Sequence, residues 1–209
     1  MPTKDGISGT GIAPGRTHTR RVWRADSGRR ESDLTRVIAM LMEDHVQVDT
    51  LFKRIEMLKK RGDPSRYEGV AQVCEALTVH LELEEALFYP AARKVAEDED
   101  SSLESGVDEG EVEHAHISEL IDDLKTLNGG DPLCDALLCD AKVKVLMDYV
   151  RHHVKEEESE LFPALKRAKP DFTGLYDRMV KRREELEQHG MAAAELAMAL
   201  AKENTYAPH

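Results

Sequence analysis

His80-Leu-Glu-Leu-Glu-Glu-Ala-Leu-Phe-Tyr-Pro90 aligns without gaps to His153-Val-Lys-Glu-Glu-Glu-Ser-Glu-Leu-Phe-Pro163. Each stretch opens with HxxxE, so His80 and Glu84, and again His153 and Glu157, lie one turn apart on one face of a helix. That face is otherwise apolar. It runs Val70, Val73, Leu77, His80, Glu84, Leu87 and Ala91 in the first case, and Leu146, Val150, His153, Glu157, Leu161 and Ala164 in the second. A stripe at steps of three and four marks an amphipathic helix. A carboxylate inside such a stripe is costly to bury unless it is paired or bound to a metal.

Upstream of each stretch the pattern repeats in a second form. Asp44-His45 with Leu51 matches Glu113-His114 with Leu120. His45 belongs to a stripe of Leu34, Ile38, Leu41, Val48, Phe52 and Ile55, and His114 to one of Ile117, Ile121 and Leu124. The chain is thus a helix pair, with HxxxE on its second member, used twice. The first helix is expected to start at Ser32 or Asp33, either of which can cap the opening turn. It is expected to stop at Gly62-Asp63-Pro64, and a second helix to run from Ser65 to Ala96. The acidic, Ser/Gly-rich stretch 97–110 reads as a solvated loop. A third helix is expected over 111–127, closed by Asn128-Gly129-Gly130-Asp131-Pro132. A fourth follows over 133–168, and a last helical stretch over 174–203, interrupted by Gly190. Residues 1–31 are Gly-punctuated and aperiodic and read as disordered. The expectation is an all-α protein: an antiparallel up-down four-helix bundle over 32–169, with a basic tail at 1–31 and a C-terminal helical extension at 170–209.

Composition agrees. The hydrophobic fraction is 41% and the aromatic fraction 5%, which favours helix over sheet, since straight side chains lose little freedom in a helix. The net charge of −12 argues against nucleic acid as a partner, because phosphate binding needs clustered Lys and Arg. Residues 1–30 alone carry a local +5, leaving −17 for the rest; a solvated tail is the simpler reading of that excess. Cys74, Cys134 and Cys139 are an odd count without a CxxC pair, which speaks against a disulfide framework and for a reducing, cytoplasmic setting. No apolar run has the length of a membrane span, and the N-terminus lacks the apolar stretch of a secretory signal.

Folded with approximate two-fold symmetry, the four helices bring His45, His80, Glu84, His114, His153 and Glu157 together. Mixed imidazole and carboxylate donors suit iron, with manganese or zinc as lesser alternatives. If the two Glu bridge a pair of metals, each metal keeps two His and open positions for water, O2, peroxide or NO.

Over residues 33–168 the sequence resembles the hemerythrin-like (HHE cation-binding) family, whose pattern is H…HxxxE…H…HxxxE. The resemblance includes the Phe and Pro that follow each HxxxE motif. It implies a di-iron centre with an oxo or hydroxo bridge, held by His45, His80, Glu84, His114, His153 and Glu157. Two departures bear on function. Oxygen-carrying members place a further His one turn after the third-helix ligand, where this chain has Ser118, and their fourth-helix carboxylate is an Asp at another spacing. Reversible O2 carriage is therefore disfavoured. Members that repair iron centres carry a Cys-bearing N-terminal domain, and residues 1–31 contain no Cys.

Several neighbours compete for roles. His116 points away from His114 and reads as exposed, and His152 is about 100° round the helix from His153. Asp44 and Glu113 are placed either to hydrogen-bond behind the donors or simply to be solvated. Glu85, Glu156 and Glu158 read as exposed. Phe88, Tyr89, Leu161 and Phe162 are core, or a collar limiting access to the metals. The expected function is a non-haem di-iron protein that binds or reacts with a small diatomic ligand or peroxide, in redox sensing or oxidative-stress defence, with catalase-like activity as one form. The alternative is an iron-responsive module whose metal state controls folding or a partner not identified from sequence. Ferritin-like oxidases use ExxH pairs with further Glu, the reverse order to that found here.

Overall fold

The structure, a computed structural model, describes residues 23–99, 101–128 and 136–204, with side chains at 33–96, 103–127 and 137–193. The chain is all-α. Its helices are α1 (Trp23–Lys60), α2 (Arg66–Leu83), α3 (Tyr89–Glu99), α4 (Ser101–Asn128), α5 (Ala136–Glu156), α6 (Phe162–Ala168) and α7 (Leu175–Asn204). The expected disorder of 1–22 and the turn at 129–132 lie outside the described residues.

Two short π-helical turns, Glu84–Phe88 and Glu157–Leu161, join α2 to α3 and α5 to α6. In each the amide bonds back five residues: Tyr89 N–H to the Glu84 carbonyl, and Phe162 N–H to the Glu157 carbonyl. A π turn inserts one residue into the helical repeat, and such turns concentrate at functional sites. Here both begin on the glutamate of an HxxxE motif. After Glu84 the inserted residue also rotates the stripe that follows it, while Leu161 and Ala164 after Glu157 stay buried as expected. Leu87 and Ala91, expected inside, are half-buried, whereas Phe88, Tyr89 and Ala92 are buried.

The stripe residues form two apolar clusters. One gathers Leu34, Ile38 and Leu41 with Phe88, Tyr89, Val107, Phe162 and Leu165. The other gathers Val48, Phe52 and Ile55 with Val73, Leu77, Ile117, Ile121, Leu146 and Val150. Successive helices of the repeat pass through the two clusters in opposite order, and each crosses the boundary at its His. The six polar donors therefore form a layer between two dry clusters, fixed by packing on both sides.

Three helix limits differ from expectation. α1 starts at Trp23, so 23–31 are helical and not disordered. α4 starts at Ser101, turning most of the expected 97–110 loop into helix, because Leu103, Val107 and Gly110 extend the His114 stripe and are buried. Residues 97–99 belong to α3. α1 does stop at Gly62, whose φ of 68° is a left-handed conformation that glycine takes without steric cost.

α7 packs on α1 and α2. Phe172, Leu175 and Met179 enter the first apolar cluster, each worth roughly 1.5–3 kcal/mol of burial. The Gly174 amide donates to Asp33 Oδ2 at 2.9 Å, and the Arg36 guanidinium stands 3.7 Å over the Tyr176 ring. α7 runs through Gly190 without the interruption expected there, and just beyond it Met191 is exposed; the side chains after residue 193 lie outside the described residues. Among the described residues, no helix is long and apolar enough to cross a membrane.

Candidate metal centre

α1, α2, α4 and α5 each deliver one imidazole, and the two π turns each deliver one carboxylate, to the layer between the clusters. His45, His80, Glu84, His114, His153 and Glu157 are all buried. Their inner atoms converge. Glu84 Oε2 lies 3.2 Å from His80 Nε2, 3.3 Å from His114 Nε2 and 3.9 Å from His153 Nε2. Glu157 Oε2 lies 3.3 Å from His45 Nε2 and 3.7 Å from His153 Nε2. Two buried groups could each hold a cation: His45, His80, Glu84 and Glu157, and beside it Glu84, His114 and His153. Glu84 belongs to both.

The backs of the imidazoles are held as consistently as the fronts. Each Nδ1 faces one carboxylate: His45 meets Glu158 at 2.9 Å, His80 meets Asp44 at 3.4 Å, His114 meets Glu85 at 3.1 Å and His153 meets Glu113 at 2.9 Å. The pattern follows the repeat. The residue after each inner Glu supports the lone His of the other helix pair, and the residue before each lone His supports the HxxxE histidine of its own pair. A carboxylate at Nδ1 fixes the proton there and leaves the Nε2 lone pair pointing inward. Arg183 of α7 donates to both Asp44 oxygens at 2.7 and 2.6 Å, bracing the support of His80 from outside.

This arrangement fits a cation. His45 Nε2, His80 Nε2, both Glu84 oxygens and Glu157 Oε2 make no hydrogen bond although they are buried, a condition that costs free energy for every such atom. His114 Nε2 and His153 Nε2 stand 3.2 Å apart, two basic nitrogens facing one another. Six carboxylates, from Glu84 and Glu157 with Asp44, Glu85, Glu113 and Glu158, surround the layer, and a metal is the ordinary means of balancing such a set.

In the metal-free protein, protons carry part of that balance. Burial alone would lower the His45 and His153 imidazoles, but Glu157 and its fellow carboxylates outweigh it, raising His45 and holding His153 well above the usual range. Burial would raise the Glu84 carboxyl, yet His80, His114 and His153 hold it well below. Asp44 is likewise lowered by His80 and Arg183 against its burial.

The family match agrees with this geometry. The hemerythrin HHE cation binding domain matches residues 36–165. The chain belongs to this family. It is also 29% identical over 141 residues to a protein named DNA nickase from Nostoc sp. (strain PCC 7120 / SAG 25.82 / UTEX 2576), a match covering 67% of this chain and 35% of that protein. The chain thus spans about a third of the length of the curated relative it matches. No solved structure matches the chain.

All six residues singled out by the sequence meet in this hemerythrin-family layer. His116 and His152 stay outside. His116 is exposed, and His152 pairs at the surface with Glu113 and Glu156 at 3.4 and 3.2 Å. Asp44 and Glu113 support His80 and His153 and are not merely solvated. Glu85 and Glu158, expected to be plain surface residues, keep partly exposed side chains but hydrogen-bond the donors. The doubled Glu at Glu84-Glu85 and Glu157-Glu158, repeated in both halves, was the available signal. Tyr89 brings a phenol into the layer: its O–H donates to Glu157 Oε1 at 3.1 Å and its oxygen lies 3.2 Å from His114 Nε2. Nothing in the sequence pointed to Arg183.

Proposed function

We propose that this metal-binding protein holds two iron ions, joined by an oxo or hydroxo bridge, and that it binds or reacts with O2, peroxide or NO in redox sensing or oxidative-stress defence. The observation that carries the reading is the buried donor set itself: four imidazoles and two carboxylates, in two groups that share Glu84. Nitrogen and oxygen donors without thiolate suit iron, with manganese or zinc as alternatives. His45, His80, His114, His153, Glu84 and Glu157 would hold the pair.

An iron pair supplies open coordination positions and a reversible change of oxidation state. The protein's own share is positional. The four Nδ1–carboxylate bonds orient the imidazoles. Phe88, Leu161 and Phe162 wall off bulk water on one side of the layer, and Val48, Leu77 and Val150 on the other. In the metal-free chain Tyr89 keeps a proton on its phenol oxygen beside Glu157, since burial, Glu84 and Glu157 all push that phenol well above its usual range. No His, Cys or Lys stands free beside the donors as a separate acid or base among the described residues.

A second reading has its own support. Arg183 lies on α7, beyond the residues matched by the family, yet it grips Asp44, the residue behind His80. A metal-dependent change in that grip would alter how α7 docks, as an iron-responsive module requires. The activity in the name of the Nostoc relative is not carried over. The match covers about a third of that protein, and the net charge of −12 disfavours a phosphate backbone. The free thiols of Cys74 and Cys139 support a reducing, cytoplasmic setting.

The deciding experiment loads the protein anaerobically with ferrous iron and mixes it with O2, peroxide or NO in a stopped-flow spectrometer. The proposal expects oxo-bridge charge-transfer bands to grow with O2 or peroxide and a nitrosyl signature with NO. Rapid O2 release from peroxide would identify the catalase-like form. No spectral response to any of the three would refute it. Slowed hydrogen exchange in α7 on iron loading, without turnover, would move the conclusion to the iron-responsive module.

A further inference from the structure

The two halves of the layer differ at a matched pair of positions. The register that aligns His80 with His153 sets Tyr89 against Phe162, and the register that aligns His45 with His114 sets Gly110 against Leu41. Both rings are fully buried beside the imidazole of their half. Phe162 stacks on His45 with centroids 6.0 Å apart, and Tyr89 tilts against His114 at 5.1 Å. Only Tyr89 adds an oxygen. That oxygen needs room, and Gly110 gives it: a Cβ there would stand 2.6 Å from the phenol oxygen and 3.0 Å from the ring carbon bearing it. On the other half the corresponding residue, Leu41, fills its space with a side chain.

The distances that serve as hydrogen bonds in the metal-free chain also suit donors of one shared cation. Donors on neighbouring corners of an octahedron with bonds of about 2.1 Å stand about 3 Å apart. The phenol oxygen is 3.2 Å from His114 Nε2 and 3.1 Å from Glu157 Oε1, and His114 Nε2 is itself 3.2 Å from His153 Nε2 and 3.3 Å from Glu84 Oε2. The phenol oxygen thus keeps the same spacing from the His114 donor as the other atoms of that group. The His45/His80 half has no such oxygen among the described residues. It borders instead a cavity of about 480 Å³ between α1 and α5, with His45 in its lining, Phe52, Val150 and Val154 as apolar walls and Arg151 and Glu158 at its edge.

We propose that Tyr89 closes the His114/His153 half of the centre: with Glu84 and Glu157 both shared between the halves, its phenol gives up its proton to solvent on metal loading and becomes a fifth protein donor beside His114 and His153, with Gly110 making room, so that an external ligand binds at the four-donor His45/His80 half. The inference rests on the two-metal reading above. It makes Tyr89 a residue that decides where a ligand can bind, and the cavity between α1 and α5 the route by which it arrives.

The test uses azide on the full chain loaded with ferric iron, with metal content and thermal melting measured first for every variant. Wild type should saturate at about one azide per chain by charge-transfer absorption and calorimetry. Tyr89→Phe, which keeps the ring and drops the oxygen, should take up a second azide. Gly110→Ala should do the same by displacing the phenol. Val154→Trp, which fills the cavity, should slow azide association about tenfold without changing the stoichiometry. A wild type that takes two azides, or a Tyr89→Phe protein that loads two metals and still takes one, would overturn the inference and leave the metal reading standing. Failure of wild type to load paired metal would overturn both. Should Gly110→Ala not fold, Tyr89→Phe decides alone.

Discussion

The His45/His80 half and the His114/His153 half are built from the same parts and attached to different surroundings. In both, an HxxxE helix and a lone-His helix present two Nε2 atoms, and a carboxylate stands behind every Nδ1. The support behind His80 is Asp44, buried and held by the two nitrogens of Arg183. The matching support behind His153 is Glu113, half-buried and paired besides with the exposed His152. The first half borders a cavity; the second is covered by Tyr89. Duplication of a helix pair thus fixes the inner ring, where spacing decides whether donors converge. The outer ring can differ, because a supporting carboxylate can be braced from any direction.

Glutamate substitutions should break this comparison most strongly. Glu84 lies within 3.9 Å of His80, His114 and His153, whereas Glu157 is nearest His45 at 3.3 Å and stands 3.7 Å from His153, so Glu84→Ala is expected to abolish paired loading, while Glu157→Ala should weaken it and keep one metal at His114 and His153. Plasma emission analysis of dialysed protein distinguishes the two, and equal loading of the variants would show that the halves depend on both carboxylates alike. The outer supports come next. Loss of such a partner commonly costs about 10–100-fold in metal affinity. Asp44→Ala should lie at the upper end, because it also strands the part-buried Arg183, and Glu113→Ala at the lower end. Competition with a chromophoric chelator reads both, and the reverse order would deny the brace from α7.

Arg183→Gln sharpens the same point through stability. It removes two charge-assisted hydrogen bonds, each worth roughly 1.5–3 kcal/mol, so the metal-free protein should melt several degrees lower, whereas Arg182→Gln, at a half-exposed pair with Glu82 that water screens more, should move it less. Differential scanning calorimetry decides, and equal shifts would place no special weight on Arg183. The smallest effect concerns the second apolar cluster. Burial pushes the Cys74 thiol up to about 11, so thiolate is scarce until the pH approaches that value. Cys74 should resist iodoacetamide at pH 8 in native protein and react on unfolding, as read by peptide mass mapping.

The inner ring was legible because it is a matter of spacing within single helices: four His and two Glu stand in apolar stripes that anyone can index at 3.6 residues per turn. The same indexing failed immediately after Glu84. The π turn advances the helix by an extra residue, so Leu87 and Ala91, indexed as inward, end half-buried, and no composition cue marks that turn. Gly110 misled in another way. Read as a breaker beside Ser105 and Gly106, it suggested loop, while its use is to let α4 pass close to the Tyr89 hydroxyl. Glu85 and Glu158 were visible as repeated neighbours of the inner glutamates but looked like surface charge, and both are partly exposed. Arg183 reaches Asp44 across 139 residues, and a contact of that range leaves no trace in local pattern.

The central claim is that the layer between the two apolar clusters holds a pair of metals in common. Metal analysis of the purified, iron-loaded chain together with its optical spectrum tests this most directly. The account predicts two irons per chain and oxo-bridge charge-transfer bands, both lost in Glu84→Ala. A chain that takes up no metal after anaerobic loading, or two irons that remain bound in Glu84→Ala, would contradict it.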